Sequence, residues 1–186
     1  MSVGLVGSEM CIRDSPGGSP FNVAMAAGRQ GQQVAYLTPV SEDALGELLA
    51  ERLEESRVSL ATPRVAHPTS LAVVSISDGI PSYAFHRNGT AERQVTKQNL
   101  HRDMPAETQL FHVGSLGLIE GADADTWEEF FRDCQGRGIM TSLDPNVRAG
   151  LISDSDAYVA RLRRMMRHAD ISVSYTHLTL PTTGIV

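Results

Sequence analysis

The spacing of apolar residues predicts helices alternating with short strands through the middle of the chain. In residues 43–55 the leucines at 45, 48, 49 and 53 recur at the intervals of one helical face. Helices are also predicted at 22–29, 123–135 and 155–168, and strands at 34–38, 110–113 and 139–143. This alternation is typical of the α/β class, with a parallel sheet covered by helices on both faces.

Two helix ends carry recognisable signals. Gly31 is placed to end the helix at 22–29, because glycine readily adopts the left-handed conformation that follows many helices. Ser155 is the predicted N-cap of the last helix, whose final turn is basic and suits the negative end of the helix dipole.

A β-rich block interrupts the alternation between about residues 65 and 95. Two β-rich runs, TSLAVVSIS from Thr69 and IPSYAFHR ending at Arg87, flank the dipeptide Asp78-Gly79. Asp-Gly between two such runs is a strong hairpin signal. We expect a lid over an active site or a flap that forms a homodimer, while an edge insertion without a function is the alternative.

Composition narrows the class of protein. Of 186 residues, 22 are acidic and 16 are Lys or Arg, for a net charge of -6 without a long basic run, which argues against a nucleic-acid surface. No apolar stretch approaches the roughly 20 residues that span a bilayer, so no membrane partner is expected. Cys11 and Cys134 are too few for a disulfide framework or a zinc site, which favours a cytoplasmic protein without a metal site.

Both ends of the chain have an unusual relation at the level of DNA. Residues 10–14, MCIRD, can be encoded by ATGTGTATAAGAGAC, and the reverse complement of that string translates as VSYTH, the sequence of residues 173–177. The string also resembles a transposon end used to prepare sequencing libraries. We therefore expect residues 1–15 and 172–186 to be translated adaptor, and residues 16–171 to be the native part. A native first strand and a native tail are the alternative.

Three short segments could carry chemistry. Gly17 and Gly18 precede a helix, where backbone N–H groups can approach a ligand, and Asn22 could bind a sugar hydroxyl or could simply cap the helix. Asn146 and Arg148 follow a predicted strand, where α/β proteins bind ligands, although this segment could also be an ordinary turn.

The third segment ends the predicted hairpin. Arg87 could reach into a cleft from a lid, or it could be a surface charge.

Taken together in order, these blocks resemble one family. GGSPFNVAMAAGRQG, SEDALG, the hairpin block, FHVGSLGL and SLDPNVR resemble the PfkB, or ribokinase-like, carbohydrate kinases, especially bacterial fructokinases and 2-keto-3-deoxygluconate kinases. Ser41 departs from the usual glycine of the family. Ala72 stands where the keto-deoxygluconate kinases tend to have tyrosine, which favours fructose as the substrate.

The resemblance implies transfer of the γ-phosphoryl group of ATP to a sugar hydroxyl with Mg²⁺. The residues that it assigns to the sugar are Gly17, Gly18, Asn22, Phe85 and Arg87. Those that it assigns to the neighbourhood of the transferred phosphate are Asn146 and Arg148. The base of the family is an Asp in a Gly-Ala-Gly-Asp motif, which the 186 residues do not contain.

We therefore expect this chain to be the N-terminal half of a ribokinase-like domain with its β-hairpin lid, and to be inactive alone. The alternatives are a 2-keto-3-deoxygluconate kinase and a non-catalytic sugar-binding module on the same half-fold.

Overall fold

The computed structural model describes residues 2–3, 15–77 and 80–173. These residues belong to two compact units, 1–107 and 108–186. The expected adaptor segments lie mostly outside the described residues, so their origin stays a prediction. The described dipeptide Ser2–Val3 does pair with neighbouring strands. Such pairing uses backbone groups, which every sequence carries, and therefore says little about origin.

The first unit combines two sheets with three α-helices in the described part of the chain. Its strands are β1 (Ser2–Val3), β2 (Pro16–Gly17), β3 (Val34–Tyr36), β4 (Val58–Leu60), β5 (Leu71–Ser77) and β6 (Ile80–His86). Its α-helices are α1 (Ser19–Arg29), α2 (Ala44–Glu55) and α3 (Lys97–Asp103), with a 3-10 helix at Ala91–Arg93. The strand order is β2-β1-β5-β6 in one sheet, and β3 pairs in parallel with β4 in the other.

The second unit has a parallel sheet of three strands in the order β7-β8-β9. Its strands are β7 (Leu110–Gly114), β8 (Met140–Asp144) and β9 (Ile171–Ser172). Its helices are α4 (Ala122–Gly136) and α5 (Ser155–Met166), with 3-10 helices at Ser115–Leu118 and Ala149–Leu151. The α/β class and the parallel strands expected from the sequence are confirmed.

Aromatic and aliphatic residues fill the core of each unit. In the first unit the fully buried Phe21 of α1 meets Tyr36 of β3 edge to face, with ring centroids 6.3 Å apart. In the second unit the ring of Phe111 on β7 packs among three aromatic rings of α4, those of Trp127, Phe130 and Phe131. The helical periodicity of α4 therefore aims its aromatic side chains at the sheet.

The hairpin predicted from the sequence is present. Strands β5 and β6 pair antiparallel over seven residue pairs, from Leu71 opposite His86 to Ser77 opposite Ile80. The two residues between the strands, Asp78 and Gly79, lie outside the described residues. The pairing of Ser77 with Ile80 gives the two-residue connection that an Asp-Gly hairpin requires.

The structure corrects the predicted starts of two helices, α5 and α1. The N-cap of α5 is Asp154, whose carboxylate accepts a hydrogen bond from Ala157 N at 2.9 Å, so the prediction of Ser155 was wrong. Helix α1 begins three residues before the predicted start, because Pro20 fits the first turn, where its missing N–H has no role. Gly31 follows α1 with φ of 85°, as expected.

The described helices include none that is both long and apolar enough to cross a bilayer.

Gly46 allows α2 to lie against the preceding loop. A Cβ atom at this position would stand 2.0 Å from the backbone oxygen of Ser41, which cannot move away as a flexible side chain could. Gly136, also in a helix, has no atom within 4 Å of the corresponding position.

We expect Gly46→Ala to lower the free energy of unfolding by about 1–3 kcal/mol, because the added methyl group overpacks a buried site. The matched control Gly136→Ala should leave stability unchanged or raise it by up to about 1 kcal/mol, since alanine is the better helix former. Urea unfolding followed by circular dichroism measures both. Equal stability of the two variants would contradict the close approach at Gly46.

Candidate functional site

The strand register brings two of the predicted sugar-binding segments to the same end of one sheet. One row crosses all four strands of this sheet, through Pro16, Val3, Leu71 and His86. Because β2 and β6 both run in the direction opposite to β5, Gly17 and Arg87 follow this row on the same side. With neighbouring strands about 4.8 Å apart, three strand spacings separate them by about 14 Å.

Asn22 lies in the first turn of α1 with an exposed side chain. Its backbone N donates to Gly18 O at 2.8 Å, and Gly18 is the N-cap residue of α1 with φ of 130°. The alternative in which Asn22 itself caps the helix is therefore wrong. Its exposed amide therefore lies in the first turn of the helix that follows Gly17 and Gly18.

Arg87 is not an ordinary surface charge. Its side chain is 14% exposed, and its Nε lies 3.2 Å from Oε1 of Glu92, whose side chain is 7% exposed. Glu92 was not predicted as a site residue, since one acidic residue after a hairpin has no special pattern. The other carboxylate oxygen, Oε2, is buried and has no hydrogen-bond partner among the described residues.

A small cavity adjoins Glu92, with room for about one water-sized group. It forms where the loop after β3, the start of β5 and the 3-10 helix Ala91–Arg93 meet. Its lining consists of Pro39, Val40, Ser41, Thr69, Ser70, Ala91 and Glu92. Burial raises the pKa of the nearby Tyr36, and the charge of Glu92 adds to this effect, so this hydroxyl stays protonated at neutral pH.

Phe85 is half-buried on β6, directly opposite Ala72 of β5. Ala72 is 5% exposed. Since residues two apart in a strand share a face, Phe85 and Arg87 face the same way where β6 ends. The two lid residues predicted from the sequence are thus neighbours on one face.

The carboxylate of Asp43 ties the start of α2 to the base of the hairpin. Its Oδ1 accepts from Gly46 N at 2.7 Å and from the hydroxyl of Thr69 at 2.7 Å, and its Oδ2 accepts from Thr69 N at 2.8 Å. Ser41, the departure from the family pattern, is buried, and its Oγ accepts from Asp43 N at 3.0 Å. Ser41 of the SEDALG block also lines the cavity.

Hydrogen bonds also set the charge state of Asp43. Burial acts to raise its pKa, but the hydrogen bonds, led by those from Thr69, outweigh burial and hold the pKa below its usual value. A carboxylate with a lowered pKa in the folded state stabilises the fold above its unfolded pKa, about 3.9, and this stabilisation is lost as pH falls through the folded value.

The second unit presents polar residues where β7 and β8 end. Gly114 lies opposite Asp144, and a Cβ on Gly114 would stand 2.1 Å from the backbone oxygen of Asp144, so the strands require glycine here. Ser115 and Asn146 follow with φ of 62° and 39°, a region that side chains rarely adopt. The Asn146 amide nitrogen donates to Ser115 Oγ at 3.2 Å.

Asn146 and Arg148 differ in their surroundings. Asn146 is half-buried, its backbone N donates to Asp144 Oδ1 at 3.1 Å, and its Oδ1 is buried without a partner among the described residues. Arg148 is exposed, and its Nη1 donates to the backbone oxygens of Asn146 and Val147 at 3.3 and 3.1 Å. The remaining guanidinium donors can bind an anion. Ser115 was not predicted, because a positive φ outside glycine leaves no mark on the sequence.

The charge of Asp144 acts on two titratable groups, His112 and Tyr158. Burial lowers the pKa of His112, against the opposing charge of Asp144, and its Nδ1 lies 3.0 Å from Ser142 Oγ. Burial and the charge of Asp144 raise the pKa of Tyr158, whose hydroxyl donates to Pro145 O at 3.3 Å. Both groups are therefore neutral at pH 7. Among the described residues, no group of three His, Cys, Asp or Glu side chains could hold a metal ion.

We expect Asp43→Asn to destabilise the chain by about 1–2 kcal/mol at pH 7, because an amide nitrogen facing the Thr69 N–H cannot accept its hydrogen bond. Asp154→Asn is the matched control, since Asp154 caps α5 through one oxygen that asparagine retains. The destabilisation caused by Asp43→Asn should become smaller below about pH 4. Urea unfolding between pH 3 and 7 measures it, and a pH-independent difference would contradict the role of the charge.

The positive φ of Asn146 should also be measurable. We expect Asn146→Ala to be less stable than Asn146→Gly by about 1–2 kcal/mol, because alanine has no easy access to the left-handed region. Both variants lose the bond to Ser115, so the difference between them isolates the backbone. Thermal unfolding of the pair provides the measurement, and equal midpoints would show that the loop relaxes without cost.

Comparisons with known proteins show what this chain is similar to. The fructokinase of Rhizobium leguminosarum bv. trifolii is 36% identical over 159 residues, which cover 83% of this chain and 47% of that protein. A protein of Arabidopsis thaliana, probable fructokinase-7, is 30% identical over 93% of this chain and 52% of its own length. The chain thus spans about half the length of the curated relatives it matches.

A solved structure is similar in fold. The fructokinase of Xylella fastidiosa has a TM-score of 0.82 and 25% identity over 92% of this chain and 58% of that chain. A second structure of that protein holds bound ATP. The described fold is therefore ribokinase-like, as expected. Residues 3–173 match the pfkB family carbohydrate kinases, and the chain belongs to that family.

Proposed function

We propose that this chain functions in an ATP-dependent sugar kinase, which transfers the γ-phosphoryl group of ATP to a hydroxyl of fructose. Membership of the carbohydrate kinase family and similarity to fructokinases support the reaction class. One observation about the chain itself carries the proposal: the segments Gly17–Gly18 and Phe85–Arg87 lie at the same end of one sheet, about three strand spacings apart, and a polar cavity adjoins the Arg87 side.

The first unit would bind the sugar. The exposed amide of Asn22 and the backbone at Gly17 and Gly18 offer hydrogen-bond donors for hydroxyl groups, and Phe85 offers an apolar surface for a sugar ring. Arg87 would cover the sugar from the end of the hairpin. Apart from Arg87, which is paired with Glu92, these roles use neutral polar groups and one aromatic ring, a combination that suits a polyol better than a nucleotide or a peptide. We further propose that the hairpin forms a homodimer contact and that the protein is cytoplasmic.

The second unit would act near the transferred phosphate. Arg148 is exposed and retains guanidinium donors, which suits a phosphate oxygen, and the amide of Asn146 is held in place by Ser115. Since the described residues contain no cluster of metal-binding side chains, a Mg²⁺ ion would be held mainly by the nucleotide phosphates and water. ATP with Mg²⁺ would supply the phosphoryl group and neutralise charge on its oxygens.

A sugar-binding module without catalysis is the second candidate. It is favoured by one observation, the absence of a Gly-Ala-Gly-Asp sequence from the 186 residues. By the family resemblance that motif supplies the general base, so this chain alone should transfer no phosphate. A 2-keto-3-deoxygluconate kinase would differ from a fructokinase in the charge of its substrate.

Binding of fructose to the 186-residue chain tests the proposal. We expect calorimetry to detect binding of fructose. Asn22→Ala should weaken this binding by about tenfold, because one hydrogen bond to a bound hydroxyl is worth about 1.4 kcal/mol. The control Gln30→Ala alters an exposed residue at the opposite end of α1. The affinity of Gln30→Ala for fructose should equal that of the unchanged chain.

A coupled assay of ADP release completes the test. With fructose or 2-keto-3-deoxygluconate and Mg-ATP, the chain should give no turnover. Absence of fructose binding would contradict the sugar site, and measurable turnover would contradict the assignment of the base to the missing motif.

A further inference from the structure

The buried pair of Arg87 with Glu92 bears on which sugars the first unit accepts. We propose that Glu92 makes this site selective for a neutral sugar and excludes a sugar acid. The inference rests on the proposed function, because it assigns a preference to the same sugar site. It concerns a residue that neither the sequence pattern nor the family resemblance singled out.

The first step concerns the charge of Arg87. A guanidinium at the end of a lid would ordinarily attract a carboxylate on the ligand, since arginine matches carboxylate geometry. Here Glu92 already occupies that role, with Oε1 at 3.2 Å from Arg87 Nε and both side chains largely buried. The pair is neutral as a whole, so Arg87 offers an anionic ligand little net attraction.

The second step concerns the free oxygen of Glu92. Its Oε2 is buried and has no partner among the described residues, next to a cavity lined also by Ser41, Thr69 and Ser70. A buried carboxylate oxygen requires a donor, and an ionised carboxylate can only accept. A hydroxyl group, which is about the size of the cavity, meets this need.

The Thr69 hydroxyl and the Glu92 carboxylate in the lining of the cavity support the preference for a neutral sugar. The Thr69 hydroxyl donates its hydrogen to Asp43 Oδ1 at 2.7 Å, so its oxygen presents only lone pairs to other neighbours. Thr69 therefore has no hydrogen left to donate to a ligand in the cavity, and Glu92 is the charged residue of the lining. A ligand carboxylate placed here would meet the like charge of Glu92, and specific sites use such repulsion to reject a competitor.

A cation fits this site less well than a hydroxyl group. Arg87 already neutralises Glu92 and would repel a second positive charge in a space of this size. The ligand class that satisfies both the free acceptor and the neutral pair is an uncharged polyol such as a ketose. Fructose belongs to this class, and 2-keto-3-deoxygluconate, which is a carboxylate at neutral pH, does not.

The experiment measures Kd of fructose and of 2-keto-3-deoxygluconate for the 186-residue chain and for Glu92→Gln. We expect the chain to prefer fructose by at least about tenfold. In Glu92→Gln the preference should fall by about tenfold or more, because the negative charge that offsets Arg87 and repels a ligand carboxylate is removed. Glu55→Gln is the matched control, since Glu55 pairs with Arg52 on the exposed surface of α2 and neither residue lines the cavity.

A double variant separates charge from structure. Arg87→Gln with Glu92→Gln leaves no charge of the pair unpaired, and it replaces the single variant if that one does not fold by circular dichroism. It should lose the preference against the acid without gaining the strong acid binding of Glu92→Gln alone.

The outcomes separate the two proposals. If the chain binds fructose but Glu92→Gln keeps the same preference, or if the unchanged chain prefers the acid, the role of Glu92 is wrong while the sugar site stands. If neither sugar binds to any of the folded proteins, the proposed function fails, and the inference fails with it.

Discussion

The pairing of β5 with its two neighbours is the interaction on which the candidate sugar site depends. Strand β5 pairs with β6 on one side and with β1 on the other, and β1 in turn pairs with β2. A register shift by one residue would turn the face of Phe85 and Arg87 away and move them relative to Gly17. The site thus depends on backbone hydrogen bonds more than on the chemistry of any single side chain.

Short polar contacts then fix the ends of these strands. The two oxygens of Asp43 hold the residue that precedes β5 by two positions and the first turn of α2 at the same time. Because one carboxylate joins two elements, the geometry of the cavity is coupled to the start of a helix. The buried pair of Arg87 and Glu92 adds a second restraint from the other end of the hairpin. Together they enclose a small polar space between the ends of apolar elements.

In the second unit, backbone strain marks the residues of the candidate site. Ser115 and Asn146 adopt a backbone conformation that costs free energy, and they do so next to each other at the ends of two parallel strands. Such conformations persist where packing determines them, and they are common at binding sites. Gly114, pressed against the backbone of Asp144, brings the two strained residues close enough for their side chains to bond.

The sequence by itself determined the class of the fold and the position of most elements, because hydrophobic periodicity and the Asp-Gly signal are local properties. It also pointed to Asn22, Arg87, Asn146 and Arg148 through short motifs. Only the tertiary structure showed that Glu92 pairs with Arg87 and that Ser115 bonds to Asn146, and it replaced Ser155 with Asp154 as the cap of α5. The physical reason is that burial, pairing across strands and backbone strain depend on residues distant in the chain, which no local pattern encodes.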